Sequence, residues 1–138
     1  MKNLSYIGLV ALLMAIMAAS VSVAQDPEAS VFIDGFGDIP LLDEFQEVPD
    51  SRMIFDTPSG TIANIRLSST LGARAAIEAY SAALEALGWQ PHAINEGGCE
   101  RLTISYTRDD MVLTIATSDL ESGSRAFLLL QPGNEQSP

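Results

Sequence analysis

The chain has 138 residues, with 18 acidic side chains against seven basic ones and a formal charge of −11. Such a field repels polyphosphates and argues against nucleic acid as a partner. One cysteine and one histidine cannot form an internal disulfide, nor a zinc site without added carboxylates, so stability must come from packing in a single modest domain.

At the amino terminus, Lys2, the apolar run from Ile7 to Ala19, and Ser22 with Ala24 form the charged, apolar and small-residue parts of a secretory signal. Cleavage after Ala24 leaves 114 residues in which six arginines face 18 acids, a formal charge of −12. The competing reading is an uncleaved anchor, because Tyr6 to Ala24 is 19 mostly apolar residues and a spanning helix takes about 20. The Ser-Val-Ala ending favours cleavage, and no cysteine near the cut offers a lipid attachment point. The expected product is periplasmic or secreted, with no stable membrane anchor.

Four segments follow: a signal peptide over 1–24, an arm over 25–50, one domain over 51–132 and a disordered tail over 133–138. The arm carries eight acids and no basic residue. Its apolar residues are interleaved with those acids, and Gly35, Gly37 and Pro40 break any regular element. It reads as irregular chain able to adhere to a partner or to its own domain. Phe32, Phe36, Leu41, Leu42 and Phe45 are its candidate contact residues, since aromatic side chains commonly anchor interfaces.

Met53 to Asp56 and Thr61 to Leu67 read as two strands joined by the turn Thr57-Pro58-Ser59-Gly60. Ala73, Ile77, Tyr80, Leu84 and Leu87 recur at helical spacing and predict one long helix over 71–87. Ser69 or Thr70 is placed to cap its start, and Gly88 to end it. Strands are then expected over 89–94, 101–107, 111–117 and 125–131, with loops at Arg108-Asp109-Asp110 and at Ser118 to Ser124. The order β-β-α-β-β-β-β predicts a two-layer α+β fold. A mainly antiparallel sheet of about five or six strands has the helix on one face.

The chemistry-bearing residues are few. His92 and Cys99 are a conceivable thiol dyad, but the acidic setting of Cys99 would raise its pKa and blunt its reactivity. No Gly-x-Ser-x-Gly elbow surrounds a serine. Asp34, Asp38, Asp43 and Glu44 lack the spacing of a calcium loop. No cofactor, metal or catalytic set is expected from these patterns.

From Ile54 to Leu130 the chain resembles small exported bacterial domains of unknown function. The resemblance rests on Phe55-Asp56-Thr57-Pro58-Ser59-Gly60, on the helix ending Leu84-Glu85-Ala86-Leu87-Gly88-Trp89, and on the strand meander after it. It implies a periplasmic α+β domain and brings no catalytic residues with it. The leading expectation is a non-catalytic accessory or binding module that docks an envelope protein through its arm. Two alternatives stay open: a small hydrolase using Cys99 and His92, and a carrier of an apolar ligand held between sheet and helix.

Overall fold

A computed structural model of the chain describes residues 31–96 and 101–133. The expected signal peptide, Cys99 and the expected tail beyond Gly133 lie outside the described residues. The fold is α+β, a mostly antiparallel sheet with one helix. Strands β1 (Phe45–Glu47), β2 (Met53–Thr57) and β3 (Gly60–Ser69) precede helix α1 (Ala73–Ala86), and β4 (Gln90–Glu96), β5 (Arg101–Arg108), β6 (Met111–Asp119) and β7 (Ser124–Pro132) follow it. Seven strands form, not five or six, because residues of the arm pair as β1 along the end of β3.

Neighbours in the sheet run β1-β3-β7-β6-β5-β4, with β2 pairing the first half of β3. The four strands after the helix form a continuous antiparallel meander, and its last strand, β7, also pairs with β3 and so joins the two halves of the sheet. Between β1 and β2 the edge is interrupted, and Ser51 repairs the gap. Its hydroxyl accepts the Arg66 N–H at 3.1 Å and donates to the Arg66 carbonyl at 3.1 Å, a side-chain substitute for the missing ladder.

The helix has 14 residues and is shorter than predicted at both ends. Its buried stripe is Ala73, Ala76, Tyr80 and Leu84; Ile77 is half-buried and Leu87 is exposed in the cap. Neither Ser69 nor Thr70 caps the start. The Asp119 carboxylate at the end of β6 accepts the Ala73 N–H at 2.7 Å, while Ser69 Oγ accepts from the Leu71 N–H. At the other end Gly88 has φ +86°. Its N–H donates to the Glu85 carbonyl and that of Trp89 to the Leu84 carbonyl, the paired closure that a left-handed residue permits.

Alternate residues of β3, β5, β6 and β7 are buried on the side of the sheet that carries the helix. On that inner face Ile65, Leu67, Leu113, Ile115 and Leu128 are fully buried with Tyr80 and Leu84. The arm completes the same core. Ile33, Phe36, Ile39 and Phe45 are buried, the Phe45 ring meets Tyr80 edge-on at 4.8 Å, and the Tyr80 hydroxyl donates to the Pro40 carbonyl at 3.0 Å. Burial pushes the Tyr80 phenol well above its ordinary value, so it stays a neutral donor. Gly35, at φ +81°, passes so close to Ile54 that an added Cβ would lie 2.2 Å from its Cδ1.

Arg108 locks arm, helix and sheet together. Its guanidinium grips the Asp38 carboxylate with two bonds of 2.6 and 2.7 Å, donates to the Leu87 carbonyl at 2.9 Å and lies 4.7 Å from the centre of the Trp89 ring. That bond to Arg108 holds the Asp38 carboxyl below the usual carboxylate range. Arg52 similarly ties Asp34 to Glu47.

Candidate functional site: the helix-free face

Strand register sorts every side chain onto one of two faces. The side away from the helix receives Met53, Phe55, Ile62, Asn64 and Arg66 from β2 and β3, and Arg125, Phe127, Leu129 and Gln131 from β7. Across β6 and β5 it continues through Val112, Thr114, Ala116, Ser118, Arg101, Thr103, Ser105 and Thr107, then Gln90, Ala93 and Asn95 of β4. Gln46 and Ser68 complete the near edge. Three of these residues are arginine and none is acidic, although the chain has 18 acids.

The arginines are neighbours because of the strand order. Arg125, Ser118 and Arg101 form one cross-strand row; Arg66, Phe127 and Ala116 form the next. With strands about 4.8 Å apart, the Arg101 and Arg125 backbones stand about 10 Å apart across Ser118. Arg66 flanks Phe127 from the opposite side, its backbone N–H and carbonyl held by the Ser51 hydroxyl. These residues line a shallow depression of about 320 Å³. Among the described residues, Arg52 and Arg108 are paired with carboxylates, whereas Arg66, Arg101 and Arg125 are not. The same face leaves large apolar groups in water: Phe55 is 53%, Met53 51% and Phe127 38% exposed.

The arm residues singled out in the sequence have a different fate. Phe36 is 1% exposed and Phe45 is buried, so no partner reaches either without opening the core. Leu41 and Leu42 pack against that core, half-buried. Phe32 keeps 47% of its surface exposed and is the arm's accessible ring among those five. The space between helix and sheet is filled by Tyr80, Leu84, Trp89 and the arm's own side chains.

His92 is exposed at an irregularity in β4, between Pro91 and Ala93. It borders a larger depression, about 590 Å³, with Ser59, Asp109 and Asp110. A nucleophilic triad needs hydrogen bonds from nucleophile to base and from base to orienting acid. Among the described residues His92 bonds to none of these groups, and no cluster of three or more His, Cys, Asp or Glu side chains is arranged to hold a metal ion.

Arg66, Arg101 and Arg125 are the residues that reading the sequence passes over. Alternation already places each opposite a core residue within its strand; the neighbourhood of β3 and β7, which unites them, is a property of the whole chain. The chain matches no protein-family model, no curated protein and no solved structure.

Proposed function

We propose that this chain is an exported binding module without catalytic chemistry, and that its working surface is the helix-free face of the sheet. The observation that supports this reading is the composition of that face, where Phe127 lies among Arg66, Arg101 and Arg125, exposed Met53 and Phe55 lie further along the same face, and no carboxylate is among them. Contiguous apolar groups left in water mark interaction sites more often than they mark nothing. Arginine and aromatic side chains are also the types enriched in interface hot spots. Phe32, on the arm, is a secondary point of contact in this reading.

Site-resolved photo-crosslinking in the producing cell tests it. A photoreactive residue at Phe55 is expected to give a discrete adduct, and one at the exposed helix position Ala82 is expected to give none. Equal yields from both positions, or no adduct from Phe55, contradict the assignment of this face.

A further inference from the structure

We propose that Arg66, Arg101 and Arg125, with the Ser118 hydroxyl between two of them, form a binding site for a compact anion bearing two or more carboxylate or phosphate groups. This deepens the reading of the helix-free face and rests on it. The guanidinium presents a planar fork that binds a carboxylate or phosphate through two parallel hydrogen bonds, and arginine, not lysine, supplies every positive charge here. One acidic group saturates one fork. Three forks arriving from three strands, in two adjacent rows, suit a ligand whose charges are themselves distributed.

The surroundings set the size of that ligand. Acids fringe the patch: Asp43 and Glu44 line a groove with Ser68, the cross-strand partner of Arg125, and Glu121 lies in the loop just before β7. A long polyanion or an anionic bilayer extending past the arginines would enter this fringe and the field of a chain at −11. A compact anion stays within the positive patch. The exposed edge of Phe127 offers its carbon skeleton an apolar contact, and Ser118 can donate to an oxygen held between Arg125 and Arg101. Without a ligand, the three cations repel one another and no described carboxylate offsets them.

The test is titration of the purified protein, followed by the backbone amide spectrum at constant ionic strength. Tricarballylate and inorganic pyrophosphate serve as probes, with acetate as the singly charged control. Tricarballylate or pyrophosphate is expected to shift the amides of Arg66, Ser118, Arg125 and Phe127 saturably, and whichever binds tighter identifies carboxylate or phosphate chemistry. Acetate should bind at least about tenfold more weakly, and the pair Arg101→Gln with Arg125→Gln should weaken the better probe by about tenfold or more at unchanged spectral dispersion. The charge-retaining pair Arg101→Lys with Arg125→Lys should fall between, because it keeps the charge and loses the forks. The proposal is overturned if neither multivalent probe gives saturable shifts up to about 50 mM, well above the dissociation constant of several millimolar that three exposed charge pairs supply. Shifts that persist unchanged in the glutamine pair overturn it equally. If that pair loses its fold, Arg66→Gln and Ser118→Ala each carry the same comparison. A negative titration beside a positive Phe55 crosslink would remove the anion site and leave the face reading intact.

Discussion

The arm and the helix-free face both carry apolar side chains beside charged ones, and they are used in opposite ways. The arm carries eight acids among its phenylalanines and turns Phe36 and Phe45 inward, where Tyr80 and the β3 residues surround them. Three of its carboxylates, Asp34, Asp38 and Glu47, pair with Arg52 and Arg108. The open face has no acids and keeps its rings and three arginines in water. Apolar residues beside charge therefore do not mark a docking segment by themselves. What distinguishes the two is whether the chain's own backbone supplies a partner surface.

Substitutions at the two regions should separate them sharply. Phe36→Ala removes a buried ring and should cost about 3–5 kcal/mol, read by urea denaturation; a loss below about 1 kcal/mol would mean the arm does not complete the core. Gly123→Ala comes next. Gly123 has φ +82°, and an added Cβ would lie 2.0 Å from the Ser69 carbonyl oxygen, where the loop before β7 abuts the end of β3. A loss of about 3 kcal/mol is expected, and an unchanged midpoint would question the β3–β7 neighbourhood that unites Arg66 with Arg125. Tyr80→Phe leaves the Pro40 carbonyl without its donor and should cost about 1–2 kcal/mol.

The Asp38–Arg108 pair gives the arm a pH signature. The folded-state pKa of Asp38 is lowered by its bond to Arg108, so its contribution is present above the unfolded carboxylate value, about 3.9, and is lost as pH falls through the folded one. Asp38→Asn should therefore lower the melting temperature more at neutral pH than in acid, where falling pH protonates the wild-type carboxyl. An equal loss at both pH values would point to packing instead of charge. The smallest expected effect is on the open face: Phe55→Ser should change stability by no more than about 0.5 kcal/mol, and a large loss would show that this ring also serves the fold.

Much of the fold was legible in local pattern. The alternation of Leu102, Ile104 and Tyr106, the turn at Pro58-Ser59 and the stop at Gly88 all act over a few residues, and each of the six expected strands formed within a few residues of its expected place. What stayed hidden depends on contacts distant in sequence. The helix start is capped by Asp119, far along the chain, so Ser69 and Thr70 were the natural local choice. Strand β1 exists because Phe45–Glu47 finds the end of β3, and its own glycine- and proline-punctuated context gives no such signal. The arginine cluster was hidden for the same reason: each member is an ordinary outward strand residue until the register across β6 aligns Arg101 with Arg125 and the pairing of β7 with β3 adds Arg66.

We propose that recognition runs through the helix-free face and its positive charge. The most direct test of this claim is the yield of the Phe55 crosslink in a chain that also carries Arg66→Gln, Arg101→Gln and Arg125→Gln. We predict loss of the adduct with an unchanged melting temperature. An adduct that persists at full yield in that background would contradict the claim.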